Sequence, residues 1–241
     1  DIDYLASRFD LMARRIVAQL DLLKHKDAQR RQLVAQVSHD LRTPLASIQG
    51  YLEALRMKHE TLEAEERGRF LAVALSETHR LGRQVEELFE LAALDAREKQ
   101  PDIEPFVMAE LLYDVVQKHR PAAERAGVEL TISATETESV LADIAMTERV
   151  LDNLISNAIA HSPRNTRVIL TMSVRDGGAE ITVADAGPGI RQEDLGQVFD
   201  PFYQAAGAER TGHAGLGLAI AQRLVVLQHG RLSAHNANGA V

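Results

Sequence analysis

Residues 33–55 read LVAQVSHDLRTPLASIQGYLEAL, and the architecture follows from how this stretch is read. Val34, Val37, Leu41, Leu45, Ile48, Leu52 and Leu55 recur at alternating steps of three and four. That spacing lays an apolar seam along a long helix, as coiled coils and helix bundles require. His39 lies two positions from both Val37 and Leu41. At about 100° per residue it points about 200° away from the seam, toward water. Asp40 follows it, and Thr43 sits one turn on, on the same face. Pro44 removes a backbone donor and crowds the preceding turn, which predicts a bend beside His39. Taken alone, His39 reads first as a solvated surface histidine. With a carboxylate and a kink beside it, it also describes a reactive group on a rigid stalk.

Working outward, residues 1–16 (DIDYLASRFDLMARRI) place Leu5, Phe9, Met12 and Ile16 on one seam, which Leu20 and Leu23 continue. Keeping the heptad then puts Asp27 and Arg30 at core positions, where polar groups loosen or fix register. A register shift would expose them instead. This weak segment is where a signal from upstream is expected to change helix packing. Downstream, a polar break near Lys58 to Glu63 precedes a second helix from about Ala64 to Asp95. Its inward positions are Leu71, Ala74, Leu81, Val85, Leu88 and Leu91 or Ala92. Two long helices joined by a short loop form an antiparallel hairpin. One hairpin cannot cover both faces, so two chains are expected to pair as a four-helix bundle.

Composition narrows the class. The 241 residues are 45% hydrophobic and 26% charged, ordinary for a globular protein with a sizeable core. The formal net charge of −8 provides no basic stripe to neutralise phosphates, which argues against nucleic acid as a partner. There is no cysteine, hence no disulfide and no thiolate metal site. No run approaches the roughly 18 apolar residues that span a bilayer. Tryptophan is absent and aromatics are 4%, so aliphatic side chains must fill the core.

After a linker with Pro101 and Pro105 the pattern changes to mixed helix and strand. Helices are expected over 108–126, ending near Gly127, over 145–161 and over 215–229. Strands are expected over 128–134, 140–143, 168–175, 179–185 and 231–235. Asp176-Gly177-Gly178 marks a hairpin turn, and 186–214 forms a long glycine-containing loop. Interleaved strands and helices suggest an α/β sandwich.

Three motifs fall in this half. In RVLDNLISNAIAHS (149–162), Asn153 and Asn157 are four apart and share a helix face, offering neutral oxygens suited to a hard cation such as Mg²⁺. In DAGPGI (185–190), Asp185 ends a strand and can accept from an adenine amino group, while Gly187 and Gly189 let backbone approach a ligand. In GHAGLGLAI (212–220), Gly215 and Gly217 open a helix whose amides face an anion. Each alone is weak: an asparagine pair is also surface polarity, and the glycine stretches are also turns.

HDLRTP (39–44) resembles the H box of sensor histidine kinases of two-component systems. The other motifs, with FDPFYQ (199–204) between the second and third, resemble the N, G1, F and G2 boxes of the same family. These boxes are shared with gyrase-type and chaperone-type ATPases, and the resemblance covers essentially the whole chain. It implies three parts. Residues 1–24 would be the closing helix of a HAMP linker, though a plain coiled-coil end reads the same. Residues 25–98 would be a dimerisation and phosphotransfer domain, and 103–241 a catalytic domain of Bergerat fold. The implied fold class is an antiparallel long-helix hairpin in a dimeric four-helix bundle, followed by an α/β sandwich that binds ATP.

The resemblance further implies ATP and Mg²⁺ as cofactors, under a mobile lid. It gives Asn157 to the metal, Asn153 to the phosphate side and Asp185 to the base. Gly187 and Gly189 would shape the base pocket. Gly215 and Gly217 would contact phosphates, with Leu216 between them in the same binding turn. Phe199 and Phe202 would anchor the lid. Three positions depart from the family. Ala160 and His161 stand where a basic residue and an aromatic are frequent, so His161 is a weaker polar contact or merely exposed. Gln204 stands where arginine is frequent, and Arg210 is the candidate replacement on the γ-phosphate. The chain also stops at GRLSAHNANGAV, where the family continues through one more strand; a missing strand would leave a sheet edge open.

By the same resemblance, His39 takes the phosphoryl group as neutral imidazole with Asp40 holding one ring proton. It then passes the group to an aspartate of a response regulator. Thr43 would orient water for removing phosphate from that regulator. The implied setting is the cytoplasmic portion of an inner-membrane sensor, with this chain a fragment of a longer receptor acting as a homodimer. An ATPase without phosphohistidine and a non-catalytic dimeric scaffold are the alternatives that the residues leave open.

Overall fold

The computed structural model describes residues 2–58, 61–96, 99–134, 139–175, 178–204 and 215–236. Before Val37, side chains are described only at Arg8, Met12, Arg14, Ile16, Val17, Gln19 and Leu20; beyond it they are described save at 134, 174 and 175. The side chains of Asp27 and Arg30, and the loop residue Arg210, therefore lie outside the described residues. The chain forms two compact units, one up to Leu81 and one from Gly82 onward.

The first unit is helical. Helix α1 (Ile2–Met57) runs on through Pro44, whose ring is buried, and α2 (Ala64–Asp95) follows the expected polar break. Across that turn Tyr51 meets Phe70 edge-on at 5.3 Å between ring centres, which fastens the two helices as a hairpin. The seam is only partly covered. Val37, Leu41, Ile48 and Leu55 are half-buried and Ala74 is buried. Leu45, Leu52 and Leu71, all expected to face inward, are exposed together with Leu75. A helix with a single partner covers one side of its apolar stripe, and a stripe with steps of three and four is wide enough to face two directions.

The second unit contains the last turns of α2 and all the strands. In order these are β1 (Glu104–Val107), α3 (Met108–Ala126), β2 (Val128–Ala134), β3 (Ser139–Ala142), α4 (Ile144–His161), β4 (Thr166–Arg175), β5 (Gly178–Ala184) and α5 (Gly217–Leu227). Strands β2, β4 and β5 form a sheet in the order β2-β4-β5, with β2 parallel and β5 antiparallel to β4. Strand β1 pairs antiparallel with β3 in a separate ribbon. It was not expected, because Pro105 reads as a breaker; an edge strand tolerates proline because one side needs no donor. The strand expected over 231–235 does not form. That segment is tied to the chain at Ile190 by the Asn236 side chain, which accepts from Ile190 N at 2.9 Å and donates to Ile190 O at 2.6 Å. A side-chain amide thus replaces a backbone ladder.

Helices α3 and α4 cover the sheet through Leu112, Val115, Leu151, Ile155, Val168 and Leu170, all at 1% exposure or less. Each such side chain contributes about 1.5–3 kcal/mol by leaving water. A second core joins Leu91 and Leu94 of α2 to Met146 and Val150 of α4 and to Ile220 and Leu224 of α5. Two ion pairs flank it: Arg149 Nη2 donates to Glu90 at 2.7 Å and Arg223 Nε to Asp95 at 2.7 Å. Helix α3 ends where Gly127 enters the left-handed region (φ 73°), allowing its N–H to reach back to the last turn. Among the described residues no helix is long and apolar enough to cross a membrane.

Candidate functional site

His39 stands on α1 with its side chain 63% exposed. The burial stripe through Val37, Leu41 and Pro44 faces the other way, as the helical period requires. Nδ1 lies 3.1 Å from Asp40 Oδ1. A carboxylate there favours the tautomer that carries its proton on Nδ1 and leaves the lone pair on Nε2. Thr43 is one turn on; its hydroxyl donates at 3.5 Å to the carbonyl of His39, a long bond that leaves the group available.

The other candidate residues lie in the second unit. Helix α4 is started by Asp143, which accepts from Met146 N at 2.8 Å and from Asp102 N at 2.9 Å. Burial alone would raise this carboxyl; donation by the backbones of Met146, Asp102 and Ala145 overrules it and holds the pKa below the usual carboxylate value. On the outer side of α4, burial would likewise raise Asp152. Its bonds with His119 (2.8 Å) and Lys118 (2.7 Å) hold it low instead and lock α4 to α3.

That lock leaves Asn153, Asn157 and His161 on another face, at steps of four. Asn153 is 9% exposed, and its Nδ2 is buried with no hydrogen-bond partner. A Cβ on Gly217 would lie 3.5 Å from Asn153 Oδ1, so the first turn of α5 packs directly on this amide. Gly215 has φ 72°, and a Cβ there would meet Tyr203 O at 2.7 Å. The backbone N–H of Phe202, itself left-handed at φ 65°, donates to Gly215 O at 2.9 Å. FDPFYQ and the start of α5 are thus fastened at one point. Leu216 is buried at 1% exposure, so it offers a ligand only its backbone. Phe199 and Phe202 are half-buried, and Phe202 packs on the α2–α4–α5 core.

At the far end of α4, Asp185 is exposed one residue beyond β5 and accepts from Gly187 N at 2.8 Å through Oδ1. A Cβ on Gly187 would stand 2.6 Å from that oxygen and 3.1 Å from the carbonyl of His161. Only glycine lets this turn approach the end of α4. Gly189 (φ 73°) faces Asn236 Oδ1 in the same manner, at 3.0 Å. Asn236 was missed in the sequence, where an asparagine near a chain end carries no signal for its target. Asp194 was missed as well. It is buried, accepts from Arg191 Nε at 2.7 Å, and is held below the usual carboxylate value chiefly by the Tyr203 hydroxyl. This knot fixes the stem of the loop before residue 205. Among the described residues no group of three or more His, Asp or Glu side chains is placed to hold a metal.

The first unit thus carries an exposed imidazole; the second, taken by itself, carries the backbone amides that open α5, one unpaired amide nitrogen and one exposed carboxylate. Comparison with known proteins bears on both parts. Residues 142–241 match the model described as histidine kinase-, DNA gyrase B- and HSP90-like ATPase. Residues 29–97 match the His Kinase A (phospho-acceptor) domain. The chain is 34% identical over 208 residues to the sensor-like histidine kinase SenX3 of Mycolicibacterium smegmatis, covering 86% of this chain and 54% of that protein. It therefore spans about half the length of the curated relative. Among solved structures, ShkA in complex with AMPPNP superimposes with a TM-score of 0.63 at 30% identity, over 87% of this chain and 43% of that one. ThkA in complex with the response regulator protein TrrA gives a TM-score of 0.70 at 23% identity, over 87% of this chain and 58% of that one, a likeness of fold.

Proposed function

The chain belongs to the sensor histidine kinase family of two-component systems, and on that premise we propose that it moves the γ-phosphoryl group of ATP to His39 and then to an aspartate of a response-regulator receiver domain. The observation that carries this reading is the His39–Asp40 pair, exposed and with Nδ1 at 3.1 Å from the carboxylate. Nε2 forms the new N–P bond, the bridging P–O bond breaks, and its electron pair leaves with ADP. Asp40 shares the Nδ1 proton and offsets the positive charge that grows on the ring.

Such a transfer needs positioning and charge neutralisation more than covalent help. Asp185 offers adenine the oxygen that Gly187 does not occupy. Asn153 Nδ2 and the first amides of α5 donate to phosphate oxygens. Asn157 would offer a bound Mg²⁺ a neutral side-chain oxygen. The metal, when bound, neutralises phosphate charge. Incubation with γ-labelled ATP and Mg²⁺ should give acid-labile, base-stable protein label that is absent from His39→Gln. Acid-stable label, or label retained in that variant, would overturn the reading.

We further propose that the same face removes phosphate from the regulator, with Thr43 orienting the attacking water. Thr43→Ala should lose regulator dephosphorylation at least tenfold while autophosphorylation persists. Undiminished dephosphorylation would refute that role. The exposed Leu45, Leu52, Leu71 and Leu75 support pairing of two chains. The family resemblance supports a place at the cytoplasmic side of a longer, membrane-anchored sensor, checked by fractionating the full-length protein.

A further inference from the structure

Three buried side-chain atoms among the described residues lack a hydrogen-bond partner, and two of them belong to the segment of α4 and its cap: Asn153 Nδ2 and Ser162 Oγ. Buried polar groups are paired in the great majority of cases, so each orphan asks what satisfies it. Nine residues separate these two. At about 1.5 Å per residue they stand about 14 Å apart along the helix. Asn153 lies midway along α4, beside Gly217 at the start of α5. Ser162 caps the end of α4, its N–H donating to Ala158 O at 3.0 Å. It follows His161 directly, and the His161 carbonyl is the group that Gly187 approaches beside Asp185. Asn153 therefore faces the proposed phosphate side, while Ser162 follows the residue whose carbonyl lies against the Asp185–Gly187 turn of the proposed base side.

We propose that the Ser162 hydroxyl is a base-reading residue that donates to N1 of adenine, directly or through one water. The inference rests on the adenine-nucleotide reading above and gives a role to Ser162, the last residue of the RVLDNLISNAIAHS stretch, to which that reading assigns none. Adenine presents a donor at N6 and an acceptor at N1. The unoccupied Asp185 oxygen accepts from N6, which leaves N1 needing a donor on the same edge. A hydroxyl rotates to suit and supplies one. A water in between carries such a bond nearly as well as direct contact. Two backbone donors near this turn are committed: Gly187 N bonds Asp185 and Ile190 N bonds Asn236.

The test is calorimetric titration of the full chain with ADP and with 1-deaza-ADP, which lacks the N1 acceptor. Wild-type protein should favour ADP by about three- to tenfold, the range of one neutral hydrogen bond. Ser162→Ala should bind the two nucleotides equally, and Ser162→Thr, which keeps the hydroxyl, should retain the preference and guard against a misfolded alanine variant. A wild-type protein that binds both equally, or an alanine variant with the wild-type preference, would overturn the inference and leave adenine-nucleotide binding standing. A wild-type protein that binds neither nucleotide would instead sink the reading of the site itself.

Discussion

Asn153 keeps a side-chain nitrogen buried and unpaired, and such a group costs about 1–3 kcal/mol of desolvation. The phosphate contact proposed above would give this buried group the partner it lacks. Asn153→Ala should therefore leave the melting temperature of the ligand-free protein unchanged or raised. The shift that ADP and Mg²⁺ produce in that temperature should disappear. A variant that melts lower yet keeps its nucleotide shift would contradict this assignment. At this scale the sequence was legible where chemistry repeats in a motif: the outward direction of His39 followed from its spacing, and Asp185 and Gly187 from their order. Ser162 and Asn236 were not legible. Asn236 bonds a backbone group that a distant segment brings alongside, and Ser162 carries no signal beyond its place at the end of a helix; no local pattern records either.

The elements show the same division. Long helices were readable because the apolar period persists over many turns, and the β4–β5 hairpin because alternation and a turn signal coincide. Strand β1 was not, since its Pro105 argues locally for a linker, and the strand expected at 231–235 gave way to an amide clamp at Ile190. Helix α4 depends on its cap. Asp143 accepts from Met146 and Asp102, and Gln228 Oε1 accepts from Asp143 N at 2.8 Å. Asp143→Ala should destabilise the second unit by about 0.5–2 kcal/mol at neutral pH. The folded carboxyl titrates below its ordinary value of 3.8. The ionised cap thus contributes fully above about pH 4, and that contribution is lost as pH falls through the folded value. Urea unfolding at pH 7 and pH 3 should show the gap between variant and wild type narrowing in acid. A gap of constant size would speak against the cap.

For the molecule as a whole, the succession of a helical hairpin and an α/β sandwich was legible from the change of period after Pro101. The grouping of the last turns of α2 with the second unit was not. It rests on Leu91 and Leu94 packing on α4 and α5, a match of distant segments that composition does not report. Leu45 and Leu52 remain exposed on α1, seven residues apart on one face. Replacing both with Glu should shift sedimentation from dimer to monomer. A dimer that persists would place the pairing surface elsewhere. The central claim concerns one nitrogen. Phosphorus NMR of the protein after reaction with ATP and Mg²⁺, combined with peptide mapping, should find a single phosphohistidine, at His39 and bonded through Nε2. Phosphate on Nδ1, on another residue, or nowhere would contradict it.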